Sequence, residues 1–165
     1  MSESELAGKM FDIGLDARSA ASQLRQTEPL EKTLALLEIS KSIRNCASLI
    51  LDANAKDLRV ARDLTPALRD RLQLDEARVE AMAKSIGDVA TLPDPVGREL
   101  ARWQRPNGLD IQRIATPIGV IGMIYESRPN VTTDATALCL RSSNAVILRG
   151  GSEAAQTNAA IYEAI

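Results

Sequence analysis

Residues 118–125, IGVIGMIY, carry no charge and a single side-chain hydroxyl. A run this apolar and this short predicts a β-strand covered on both faces, as in a parallel sheet. A second buried strand is expected at 145–149, AVILR. Between them, PNVTTDATALCLRSS (129–143) opens on a proline and sets Val131, Ala135, Leu138 and Cys139 on one side, as a helix does. SEAAQTNAAIYEAI (152–165) reads as a further helix. Strand–helix–strand–helix with short connections predicts parallel pairing and an α/β fold. Two parallel strands do not make a stable sheet alone. The helical pattern also still runs at Ile165, so the expectation is a part of a larger protein.

The first half has a different texture. Ser4 to Val89 is rich in Ala, Leu, Arg, Glu, Lys and Gln, all strong helix formers. After Pro29, the residues Leu30, Leu34, Leu37, Ile43 and Ala47 keep helical spacing, which predicts one helix to about residue 53. A second helix is expected over Asn54 to Asp63, interrupted by Pro66. Asp75 looks like the cap of a helix over Ala77 to Ile86, with Gly87 closing it. Residues 91–97, TLPDPVG, form a linker. ELARWQRPNGLDIQRIAT then places two β-capable runs around Asn107-Gly108, a hairpin signal. Its mixed flanks predict one face that is wet or lies against something outside this chain. The expected division is helical over 1–97, a hairpin over 98–116, and a Rossmann-like unit from 117 to 165.

Composition narrows the function. Net charge is −2 and aromatics are only 2%, which disfavours a nucleic-acid binder. No apolar run is long enough to span a membrane, and the acidic start MSESEL is unlike a secretory leader. Two isolated cysteines, Cys46 and Cys139, make no disulfide framework, which points to the reducing cytoplasm. With no histidine, imidazole chemistry and His-based metal sites are excluded within these residues, and no metal site is expected. Both cysteines read as core residues without a base to activate them. Arg59, Arg62, Asp63, Arg69, Asp70 and Arg71 read as a solvated helical face.

Ligands of open α/β sheets bind beyond the carboxyl ends of the strands. Two loops meet that condition. After the second strand, Arg149-Gly150-Gly151-Ser152 joins close backbone approach, a helix start and a permanent cation, which suits a phosphate. The same glycines also suit a plain tight turn, with Ser152 as an N-cap. After the first strand, Glu126, Arg128 and Asn130 offer either an anion site or a surface ion pair beside a helix opened by Pro129.

PIGVIGMIYESRPNVTTDATALCLRSSNAVILRGGSEAAQTN (117–158) resembles the γ-glutamyl phosphate reductases, also called glutamate-5-semialdehyde dehydrogenases, of the aldehyde dehydrogenase superfamily. YESRPN and NAVILRGGSEA carry the likeness, and LPDPVGRE…W…RPNGL extends it. The resemblance implies the N-terminal portion of the cofactor domain, and NADPH-dependent reduction of L-glutamate 5-phosphate to L-glutamate 5-semialdehyde in proline biosynthesis. It implies a nucleophilic cysteine beyond this chain, so that residues 1–165 alone are inactive. It also implies homo-oligomers through the hairpin, and association with glutamate 5-kinase. Where general members carry Lys-Pro-x-Glu, this chain has Arg149-Gly150-Gly151-Ser152; loss of the acid and gain of arginine imply NADPH over NADH. Tyr125-Glu126-Ser127-Arg128 stands in place of the superfamily's Trp-Asn-Phe-Pro, so Tyr125 and Glu126 join the cofactor contacts. Arg128 and Asn130 become candidate substrate or oxyanion contacts. Another acyl-phosphate or aldehyde dehydrogenase, or a non-catalytic assembly module, are the alternatives.

Overall fold

A computed structural model describes residues 2–61 and 64–165. Helix α1 (Glu3–Leu24) opens on a reciprocal cap: Ser2 Oγ accepts from the Glu5 N–H, and the Glu5 carboxylate accepts from the Ser2 N–H at 2.6 Å. Helices α2 (Pro29–Asn45), α3 (Ala47–Val60), α4 (Pro66–Leu72) and α5 (Glu76–Thr91) follow. Then come the antiparallel pair β1 (Glu99–Gln104) and β2 (Asp110–Ile114), and the unit β3 (Val120–Ile124), α6 (Asn130–Arg141), β4 (Ala145–Arg149), α7 (Ala155–Glu163).

The core lies among helices. Leu36 and Ile43 of α2, Ile50 of α3, and Val79, Met82, Ala83 and Ile86 of α5 are buried together, with Ala137 of α6 and Ile161 of α7 closing the cluster. Each fully buried Leu or Ile contributes about 1.5–3 kcal/mol. Polar side chains fix the elements on this core. Asp57 of α3 accepts from the Thr157 N–H and Oγ–H, both at 2.7 Å, so a buried carboxylate holds the first turn of α7. Asn54 donates to Leu72 O at 2.9 Å and accepts from the Leu74 N–H at 2.8 Å, tying down the α4–α5 connection. Lys32, only 2% exposed, ion-pairs with Asp94 and donates to Ser143 Oγ at 2.8 Å.

The hairpin forms as the Asn-Gly signal requires. Gly108 has φ +88°, Arg105 and Leu109 close the turn, and Gln104 faces Asp110. Parallel β3 and β4 pair from Val120–Ala145 to Ile124–Arg149. This register brings the carboxyl ends of the two strands side by side.

Several boundaries differ from expectation. The stripe after Pro29 is two helices, broken at Cys46 (φ −91°, ψ 7°), and α3 already runs through Asn54. Breaking there leaves α2 against α5 and turns α3 onto α7. Arg62 and Asp63 lie outside the described residues. Asp75 caps α5, accepting from the Arg78 N–H at 2.7 Å, but Gly87 does not close that helix. It sits inside α5 facing α2, where an added Cβ would stand 3.7 Å from Ser40 Oγ. In α6 the buried side is Thr132, Thr133, Ala135, Ala137 and Cys139, whereas Leu138 is 54% exposed. Pro129 is the N-cap of α6 rather than its first residue. Gly151 takes the N-cap place before a 3₁₀ turn (Ser152–Ala154), and Ser152 makes no capping bond. Finally, β3 is covered on one face only, since Ile118 and Ile124 are more than 80% exposed.

Candidate functional site

The two loops at the strand ends meet. Tyr125 N–H donates to Arg149 O at 3.1 Å, extending the parallel ladder by one rung. Beyond it the chain turns through Ser127, held at φ +43° and 3% exposed. Ser127 donates from both N–H (2.7 Å) and Oγ (2.8 Å) to Glu153 Oε1. The first loop is thus clamped to the second by one carboxylate. Glu153 titrates below the usual glutamate range. Its own backbone N–H is the largest cause, partial burial opposes it, and the Ser127 donors and the Arg149 charge add to it.

The glycines of the second loop exist for contact. A Cβ on Gly150 would lie 2.2 Å from Asn158 Nδ2 and 3.2 Å from Tyr125 Cζ; one on Gly151 would lie 2.2 Å from Glu153 Oε1. Behind them runs a polar chain: Tyr125 Oη and Thr132 Oγ1 share a hydrogen bond of 2.6 Å, and Thr132 donates to Asn158 Oδ1 at 3.2 Å. Arg149 is exposed at the end of β4 and rests its guanidinium on Gly150 O. Ser152 is exposed beside it. Tyr125, Arg149, Gly150, Gly151 and Ser152 therefore form one surface, and Glu126 is exposed next to the clamp.

Arg128 and Asn130 belong to another feature. They line a cleft of about 430 Å³ with Arg71, Gln73, Arg78 and Asp134, between the α4–α5 connection, α5 and the start of α6. Asn130 donates to Asp134 Oδ2 at 3.1 Å. Cys139 is buried in α6, which pushes its thiol up, and Cys46 sits at the α2–α3 break. Among the described residues, no cluster of His, Cys, Asp and Glu could hold a metal ion.

Sequence reasoning missed Glu153, Asn158 and Thr132, whose partners lie about 26 residues away across the two loops. An acid directly after Ser152 was the one visible signal. Arg71, read as part of a solvated helical face, is indeed exposed, at the wall of the cleft.

No protein-family model matches the chain. The γ-glutamyl phosphate reductase of Paramagnetospirillum magneticum is 55% identical over 100% of this chain and 40% of its own length. That of Rhodospirillum rubrum is 53% identical over 98% and 38%. The chain belongs to the γ-glutamyl phosphate reductase family. It spans about two fifths of the length of these relatives. Among solved structures, the family member from Saccharomyces cerevisiae superposes with a TM-score of 0.89 at 34% identity, over 99% of this chain and 41% of that one. The Thermotoga maritima member gives 0.85 at 43%, over 90% and 36%. A Bacillus subtilis protein described as an aldehyde dehydrogenase gives 0.67 at 16% identity over 95% of this chain and 33% of that one, a likeness of fold: helices, hairpin and parallel strand pair are those of the aldehyde dehydrogenase architecture.

Proposed function

We propose that the protein carrying these residues reduces L-glutamate 5-phosphate to L-glutamate 5-semialdehyde with NADPH, releasing inorganic phosphate, in proline biosynthesis. One observation carries this reading: the Arg149–Ser152 surface stands at the joined strand ends of a chain 55% identical, along its whole length, to a γ-glutamyl phosphate reductase. NADPH supplies the hydride that takes the acyl carbon to the aldehyde. The residues present fit such a group. Gly150 and Gly151 leave no room for side chains, Arg149 has an exposed guanidinium that among the described residues bonds only a neutral carbonyl, and Ser152 adds a hydroxyl. Glu153, the acid nearest that surface, is folded back over Gly151 onto Ser127, so its charge is already committed. Arg149 and Ser152 therefore hold the ribose 2′-phosphate, with Tyr125 and Glu126 flanking the cofactor.

Arg128 and Asn130 serve the substrate side. The family resemblance assigns the acyl-accepting thiolate to sequence outside residues 1–165, which accords with Cys139 being buried, its thiol pushed up, and Cys46 sitting at a helix junction. Stoichiometric NADPH oxidation and phosphate release by the whole protein, given glutamyl phosphate, tests the reaction; no acyl-phosphate-dependent oxidation refutes it. Arg149→Gln is expected to weaken NADPH binding about tenfold, roughly 1.4 kcal/mol, and to leave NADH nearly unchanged. An equal effect on both cofactors would refute the 2′-phosphate assignment.

Residues 98–116 act as an oligomerisation segment and 117–165 as the start of the cofactor-binding fold, after a helical region over 1–97. The hairpin leaves Leu100, Trp103, Leu109 and Ile114 each more than 40% exposed, which suits a homo-oligomer contact. Trp103→Glu should lower the mass of the whole protein in light scattering; an unchanged mass removes the hairpin from the interface. Free thiols at Cys46 and Cys139 accord with a cytoplasmic protein, and no helix among the described residues is long and apolar enough to cross a membrane. Glutamate 5-kinase is the partner we propose, and co-purification of the two proteins tests it.

A further inference from the structure

The charges around the 430 Å³ cleft are unequally committed. Arg78 is spent on its own surroundings, donating to Gln73 O at 2.6 Å and to Asp70 Oδ1 at 2.8 Å, so both Arg78 and Asp70 are satisfied. Asp134 is held but not neutralised. Its Oδ1 accepts from Ser85 Oγ at 3.0 Å and its Oδ2 from Asn130 Nδ2 at 3.1 Å, two uncharged donors on a carboxylate that takes about four. Arg71, near the end of α4, and Arg128, before α6, have no hydrogen bond or ion pair among the described residues. The cleft thus presents two free guanidiniums from different elements, and one half-buried carboxylate fixed by neutral neighbours.

That pattern is the complement of a zwitterion. We propose that the cleft binds the α-amino-acid end of the substrate, with Arg71 and Arg128 gripping the α-carboxylate and Asp134 taking the α-ammonium. A planar guanidinium matches a carboxylate with two parallel hydrogen bonds, and two of them from separate elements fix its direction. Ser85 and Asn130 keep Asp134 from turning towards the arginines, which would quench both charges. The reacting end of the substrate is then left free to extend from the cleft. The choice of glutamate rests on the proposed reaction; the recognition of an α-amino acid rests on the cleft.

The test is calorimetric titration of the whole protein with L-glutamate and, as a probe lacking the ammonium, glutarate. The expected result is L-glutamate binding at least tenfold tighter than glutarate. Arg71→Ala should weaken L-glutamate at least tenfold, and Asp134→Asn should erase the preference over glutarate while still accepting the Ser85 bond. NADPH affinity should be unchanged in both variants. Arg71 is exposed and has no partner among the described residues, so its replacement does not threaten the fold. No binding of L-glutamate, equal binding of the two probes, or an Arg71→Ala variant within twofold of wild type each overturns the proposal. Failure of the proposed reaction shows separately, as absent NADPH oxidation in a protein that still binds L-glutamate through Arg71.

Discussion

A methyl group at residue 151 has no space that Glu153 does not already occupy. Gly151 has ordinary extended backbone angles, so alanine is tolerated by the chain, but its Cβ would stand 2.2–2.5 Å from the Glu153 carboxylate. The flexible end of Glu153 must then swing off Ser127. We expect Gly151→Ala to raise the Glu153 carboxyl titration towards the ordinary glutamate value and to weaken NADPH, as the freed carboxylate returns to the phosphate surface. Carboxyl NMR titration of both proteins measures it; an unmoved titration means that the clamp survives. The site was partly legible at this scale. Arg149, the two glycines and Ser152 announce a phosphate loop by their types alone. The Ser127–Glu153 clamp was not, because a hydrogen bond between residues 26 positions apart leaves no periodicity to read.

Among elements, the α2–α5 packing explains why a glycine signal misled. Gly87 reads as a helix end by type, yet four more residues of α5 follow before Leu92 caps it. The continuing helix is stabilised by Val89 and Ala90, which are buried in the core. Tertiary burial outweighs the roughly 1 kcal/mol that glycine costs in a helix interior. An added Cβ meets only Ser40 Oγ, at an ordinary 3.7 Å. Gly87→Ala should therefore stabilise by about 0.5–1 kcal/mol, raising Tm by roughly 2 °C in thermal unfolding. A lowered Tm would show that α2 and α5 are closer than this contact implies. The break at Cys46 has the same origin: local spacing runs on, but α2 packs on α5 while α3 packs on α7, so the chain changes direction between them.

At the scale of the molecule, the helical half is tied to the α/β half by buried polar groups. Lys32 joins the linker at Asp94 and the α6–β4 turn at Ser143, while Arg141 donates to Thr33 Oγ1 at 2.8 Å and to Leu92 O. Burial pushes the Asp94 carboxyl up, but Lys32, the Val96 N–H and the Arg141 charge outweigh it and leave it below the ordinary value. A depressed folded-state value means stability that is complete above the unfolded aspartate value of about 3.9 and lost as pH falls through the folded one. Glu153 works in the same direction. The urea midpoint should thus fall in that acid range. Lys32→Met should cost about 3–5 kcal/mol at neutral pH by stranding Asp94, and should flatten the acid dependence. An equal acid slope in both proteins would acquit this pair.

The sequence by itself determined the element types, the hairpin turn and the order of the parallel unit, because 3.6- and 2-residue periodicities and Asn-Gly chemistry are local. It also placed Arg149 and Ser152 at a strand end. Only the tertiary structure decided that Arg128 and Asn130 face a helical cleft rather than the Arg149 loop, and that α6 buries threonines while exposing Leu138. Those choices depend on which surfaces meet across α3, α5 and α7. A side chain's partner there is set by packing in three dimensions, which no spacing along the chain encodes.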